Sequence, residues 1–252
     1  MAGLWGSGGV VPGFIDPAGA RLDDQLWGAA EASGGRAVPA WAAMGLTTYR
    51  ITREGAERLL FLLHGYSAEQ HHLAAYVPLV DPDERFSAIC ARALHDLDDG
   101  DGASWYERSP NGPDPAGFRA ALDAVEALIE AERAAAGVAV EQCVLGGFSQ
   151  GGFLALALAG RLGAPRYGGV WAMCCGLPMV DGVPLDLAAG AGTRALIQYG
   201  SRDPIIAPAR AHAAAAAFGE CGWNVTINGY DMAHSQVIEM MVDARTWLAG
   251  LD

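Results

Sequence analysis

The chain has 252 residues, 52% of them apolar and 18% charged, which suits one large globular domain with enough length to bury a core. Its formal charge of −13 opposes binding to nucleic-acid phosphates or anionic membranes, so neither is expected as a partner. All 16 basic residues are arginine, and without lysine there is no P-loop phosphate grip, no Schiff-base catalysis and no covalent pyridoxal phosphate.

Residues 1–44 are rich in glycine and alanine and carry Trp5, Trp27 and Trp41. Large aromatics need a surface to cover, so this stretch reads as an N-terminal extension packed on a main domain of residues 45–252, with a short helix near 20–32. Met1 to Val11 has no basic start, long apolar core or small-residue cleavage site, and no apolar run is long enough to span a bilayer. The five cysteines, Cys90, Cys143, Cys174, Cys175 and Cys221, are odd in number and lack zinc or redox-pair spacing. A reducing cytoplasm is therefore expected, where the Asn224-Val225-Thr226 glycosylation pattern has no meaning. Association into a homodimer is a further, open expectation.

From Leu46 the pattern becomes regular. Strands are predicted at Thr47–Thr52 and Arg58–Leu63, the second ending in His64-Gly65-Tyr66. A helix over about Glu69–Val80 and a strand near Phe86–Ala91 follow. An acidic loop then runs from Leu94 to Pro115. The next helix carries Phe118, Leu122, Val125, Leu128 and Ile129 along one face. The apolar stretch Val138–Leu145 reads as a strand. Further strands are expected at Gly168–Cys174, Arg194–Tyr199 and Trp223–Gly229, with helices at Ala207–Gly219 and from about Val237 onward. Strands alternating with helices, most strands apolar on both faces, predict an α/β fold with a mainly parallel sheet covered on both sides.

The sharpest motif is Gly147-Phe148-Ser149-Gln150-Gly151-Gly152, between a predicted strand and the helix-like run Phe153–Ala159. A serine between glycines at such a turn is the nucleophile elbow of serine hydrolases, where glycines relieve crowding and the hydroxyl projects from the sheet. A serine hydroxyl needs a base to take its proton, and a carboxylate to orient that base. Asp203 and His234 follow two later strands in the required order Ser, Asp, His. His212 lies inside an alanine-rich helix and is a poor base. The backbone N–H of Gln150 supplies one oxyanion donor, and the loop after the earlier strand supplies a second in the Tyr66 N–H. His64 reads as a brace for that loop.

Leu62-Leu63-His64-Gly65, the Ser149 hexapeptide, Gly200-Ser201-Arg202-Asp203-Pro204-Ile205-Ile206 and His234 together resemble the phospholipase/carboxylesterase family of α/β-hydrolases, which includes acyl-protein thioesterases. The resemblance covers about Leu46 to the C-terminus. It implies an α/β-hydrolase fold, Ser149, Asp203 and His234 as the catalytic triad, and Tyr66 and Gln150 as oxyanion donors. It also implies an ester or thioester as small-molecule substrate, with no cofactor and no metal. Ser104-Trp105-Tyr106 is similar to the family's Trp-containing loop at the acyl site, which makes Trp105 and Tyr106 expected pocket residues. The chain departs from the family after His64-Gly65, where Tyr66-Ser67-Ala68 replaces a glycine-rich run, and at Arg92-Ala93-Leu94.

The expectation is thus a serine carboxylesterase acting through an acyl-enzyme. Two alternatives stand beside it: an acyl-thioesterase or lysophospholipase for longer chains, and a non-catalytic binding module of the same fold. Adjacent Cys174-Cys175 read as packing residues. The acidic run Asp96, Asp98, Asp99, Asp101 fails the calcium-loop pattern at Gly100 and reads as a solvated loop.

Overall fold

The computed structural model describes residues 39–98, 102–109 and 112–251. Trp5, Trp27 and the helix expected over 20–32 lie outside the described residues. Trp41 lies within them, in a one-turn helix Ala40–Ala43, buried in the same core as Leu46 and with the Arg50 guanidinium 5.5 Å from its ring centre.

Seven strands form the main sheet: β1 (Thr47–Ile51), β2 (Arg58–Leu63), β3 (Phe86–Arg92), β4 (Cys143–Phe148), β5 (Gly169–Met173), β6 (Arg194–Gly200) and β7 (Asn224–Tyr230). Their spatial order is β1-β3-β2-β4-β5-β6-β7. Only β1 runs antiparallel to its neighbour; every other pairing is parallel. Parallel neighbours need crossovers, and α1 (Pro115–Ala136), α2 (Gln150–Gly160) and α3 (Pro208–Glu220) supply three of them, while α4 (Ile238–Ala249) follows the last strand.

The two-sided apolar character of the strands has a direct cause. Leu59, Phe61 and Leu63 of β2 enter one buried cluster, and Leu60 and Leu62 enter the other. Residues Leu145 and Val144 of β4 divide the same way, as do Ile197 and Leu196 of β6. Successive side chains point to opposite faces, so a strand covered on both sides must be apolar at every position. The first cluster is closed by α1, through Phe118, Leu122, Val125, Leu128 and Ile129, and by α2 and α3. The second is closed by Leu73, Val77 and Val80 and by Met240, Met241 and Ala244 of α4.

The boundaries of α1 follow its local chemistry. Asp114 caps the N-terminus by accepting from the Gly117 N–H at 2.6 Å, Pro115 occupies the first position, and Gly137 ends the helix with φ of 68°. The helix expected over Glu69–Val80 is instead two single turns, His71–Ala74 and Val77–Val80. Pro78 lacks the N–H that would bond back to Ala74 and bridge them. The strand expected from Val138 starts later, at Cys143, because Val140–Gln142 form a 3₁₀ turn, and it runs on through Gly146-Gly147.

Candidate active site

The carboxyl ends of β4, β6 and β7 bring three side chains together. Ser149 follows β4 and caps α2 with φ 52° and ψ −114°, a backbone state that strains any residue with a side chain. The surrounding glycines make it attainable. A methyl group on Gly147 would lie 2.3 Å from the Gly151 backbone, and one on Gly152 would lie 2.8 Å from Cys175 Sγ. The serine is then pinned by its N–H donating to Met173 O at 2.8 Å and its carbonyl accepting from Phe153 N at 3.0 Å.

Asp203 follows β6. Its Oδ1 accepts from the backbone N–H groups of Ile205 and Ile206, both at 2.8 Å, and its Oδ2 lies 2.6 Å from His234 Nδ1. An ionised carboxylate only accepts, so Nδ1 carries the proton. Nε2 is then the bare nitrogen, 2.9 Å from Ser149 Oγ, and accepts from its hydroxyl. The loops carrying Asp203 and His234 are laced together: Ser201 N–H donates to Tyr230 O and Arg202 N–H to Met232 O. Gly200 allows this, since a methyl there would fall 2.4 Å from Ala233 O. The Phe148 ring lies 5.0 Å from the His234 ring and fixes its tilt.

The loop after β2 lies against the serine. A methyl on Gly65 would meet the Phe148 ring at 2.8 Å and Ser149 Cβ at 3.4 Å. The Tyr66 N–H bonds to no described residue, and its side chain is exposed. The N–H of Gln150, at the first turn of α2, has no earlier carbonyl within the helix to bond. His64 braces this loop, as expected. Its Nε2 accepts from the Ala93 N–H at 2.9 Å and its Nδ1 donates to Gly65 O at 2.6 Å. Burial holds its pKa down at about 4, which keeps the ring in the neutral form that this pattern needs.

The Gln150 side chain has a role that the sequence did not indicate. Its Oε1 accepts from Ser104 Oγ and Trp105 N, and its Nε2 donates to Tyr106 O. The elbow thus holds the Ser104-Trp105-Tyr106 segment in place. Tyr106 lines a cavity of about 340 Å³ that also reaches Ser149, Gln150, Phe153 and Ile206. Trp105 does not line it. Its ring is fully buried and its Nε1 donates to His64 O at 2.8 Å, so it acts behind the cavity wall.

A second unforeseen feature lies beneath the site. Gln198, fully buried in β6, accepts from Trp171 Nε1 and donates to Tyr230 Oη and Met240 O; Tyr230 in turn donates to Asp243. Glutamine in an otherwise apolar strand is the signal that could have found it.

Cys174, Asp203 and His234 place ligand-type atoms within 4.8 Å of one another. Burial and the nearby Asp203 push the Cys174 thiol up to about 12, and the aspartate and imidazole already satisfy each other. The arrangement therefore favours a proton relay over a metal centre. Burial likewise raises Cys175, so both cysteines behave as packing residues.

A model of the phospholipase/carboxylesterase family matches residues 50–251. Among solved structures, the chain is similar to a carboxylesterase from Bacillus cereus, with 18% identity and a TM-score of 0.72 over 82% of this chain and 95% of that one. It is similar to a carboxylesterase from Mesorhizobium loti, with 24% identity and a TM-score of 0.67 over 77% of this chain and 89% of that one. SOBER1 from Arabidopsis thaliana matches with 20% identity and a TM-score of 0.62, over 76% of this chain and 97% of that one.

Proposed function

Because the chain belongs to the phospholipase/carboxylesterase family and has the α/β-hydrolase fold, we propose that it is a serine hydrolase cleaving carboxylic esters through an acyl-enzyme on Ser149. The observation that carries this reading is the continuous chain Ser149 Oγ, His234 Nε2, His234 Nδ1, Asp203 Oδ2, with contacts of 2.9 Å and 2.6 Å.

The steps follow from that geometry. Ser149 Oγ bonds to the carbonyl carbon while its proton passes to His234 Nε2. The carbonyl electron pair moves onto oxygen, where the Gln150 and Tyr66 N–H groups stabilise it; losing one such donor costs roughly 3–4 kcal/mol of barrier. Collapse breaks the bond to the leaving alcohol or thiol, which takes the proton from His234. Water then repeats the sequence and releases the acid. Asp203 keeps the imidazole in the required tautomer and stabilises its charged form without taking its proton.

A fluorophosphonate probe tests the reading directly. One adduct per chain, absent after Ser149→Ala, is expected. No adduct, or equal labelling of the variant, would favour a non-catalytic binding module. A chain-length series of p-nitrophenyl esters and thioesters then separates the two enzymatic readings. Preference for short esters fits a carboxylesterase, and preference for long acyl thioesters fits a thioesterase or lysophospholipase. Among the described residues no helix is long and apolar enough to cross a membrane.

A further inference from the structure

The cavity in front of Ser149 is opposite in charge to the chain around it. Part of its wall is apolar, with Phe118, Phe153, Leu177, Met179 and Ile206, and polar groups make up the rest. Among the described residues, the charged side chains on it are Arg108 and Arg210, and no carboxylate lines it. The full chain has 29 acidic residues against 16 basic ones.

Most other described arginines are engaged. Arg50 pairs with Glu132, Arg92 with Glu69 and Asp96, Arg161 with Glu126 and Arg202 with Asp231. The side chains of Arg108 and Arg210 form no ion pair or hydrogen bond with any described residue. Arg210 is nevertheless held in position. Its guanidinium lies 5.2 Å from the centre of the Phe153 ring, and its Cβ packs where a methyl on Gly176 would come within 2.9 Å. A guanidinium over a ring keeps N–H groups available to a bidentate acceptor. Both arginines also lie near Tyr106, where their charges oppose the upward pKa shift that burial imposes on its hydroxyl.

We propose that Arg210, assisted by Arg108, sets specificity by binding an anionic terminus, carboxylate or phosphate, on the part of the substrate lodged in this cavity. The inference rests on the hydrolase reading above and narrows its substrate class. The apolar wall would cover a short hydrocarbon stem, and the guanidinium edge would meet its charged end.

The test uses two matched substrate pairs on the full chain: hexanoyl and adipoyl thioesters of N-acetylcysteamine, and 1-hexanoylglycerol with and without a 3-phosphate. The first pair places the charge on the acyl chain, the second on the alcohol. In one pair the anionic member should be favoured by about tenfold in kcat/KM, mainly through KM. That ratio should shrink several-fold in about 0.5 M NaCl. Arg210→Gln should bring it near unity and Arg210→Glu should invert it. Arg108→Gln should lower it less, and Arg245→Gln, an exposed site on α4, should leave it unchanged as a control for net charge.

No preference in either pair, or a preference untouched by Arg210→Gln, would overturn the inference. Fluorophosphonate labelling in the same preparations separates the two layers. A labelled wild type without charge preference removes only the arginine proposal; an unlabelled wild type removes the hydrolase reading with it.

Discussion

A methyl group on Gly151 would sit 2.0 Å from the carbonyl oxygen of Leu63 and 2.7 Å from that of His64. The first turn of α2 is thus pressed onto the end of β2, which sets the spacing between the Ser149 elbow and the loop carrying Tyr66. Gly151→Ala should therefore lower stability and ester hydrolysis together, although alanine is intrinsically the better helix residue by about 1 kcal/mol. Gly219, in α3, is the contrasting case, with nothing near its missing side chain. Gly219→Ala should raise stability by about 0.5 kcal/mol. Chemical denaturation of the two variants checks both signs.

Asp203 holds two backbone N–H groups as well as His234. Asp203→Asn keeps an oxygen acceptor but loses the ionised partner of Nδ1. It should lower kcat by about 10⁴-fold. Asp203→Ala should in addition destabilise the fold by roughly 1–3 kcal/mol, since the buried Ile206 N–H and the half-buried Ile205 N–H lose their acceptor. Steady-state kinetics paired with urea titration would distinguish the effects.

Two histidines give two pH dependences. With His234 as general base, kcat/KM should fall in a one-proton step toward acid pH, and a flat profile between about pH 5 and 8 would contradict that role. His64 acts on stability. Its pKa is lowered from 6.5 to about 4, so between those values the unfolded chain binds more proton than the folded one. Its contribution is fully present above pH 6.5 and is lost as pH falls toward 4. Roughly 2 kcal/mol should disappear between about pH 7.5 and 5. Urea titrations at both pH values should show a smaller loss in His64→Asn.

Gln150→Ala retains the backbone N–H but frees Ser104, Trp105 and Tyr106 from their shared partner. Stability should drop by roughly 1–3 kcal/mol because the buried Trp105 N–H loses its acceptor, while Ser104 Oγ still donates to Tyr106 O. KM should rise as the cavity wall carrying Tyr106 loosens. A variant with unchanged KM and stability would show that this glutamine matters only through its backbone.

Much of the architecture was legible because burial leaves a periodic trace. The face Phe118, Leu122, Val125, Leu128, Ile129 is buried as its spacing predicts, and inner strands such as β2 and β4 read apolar throughout because both of their faces are covered. Ser149, Asp203 and His234 stood out because each follows a strand, and strand ends in a parallel sheet converge on one edge. The break at Pro78 and the late start of β4 were harder to see, since apolar composition continues across both. The Gln150 side chain, the placement of Trp105 behind the wall and the meeting of Arg108 with Arg210 depend on contacts between distant segments. Spacing along a chain carries no record of those.

Ser149 and His234 are separated by 85 residues of sequence. During synthesis, at about 5–20 residues per second, the serine emerges several seconds before the histidine exists. Until β6 and β7 have joined the sheet, the hydroxyl has no base beside it. On the proposed triad, the nascent chain would be inert toward esters until the last third of the polypeptide has docked.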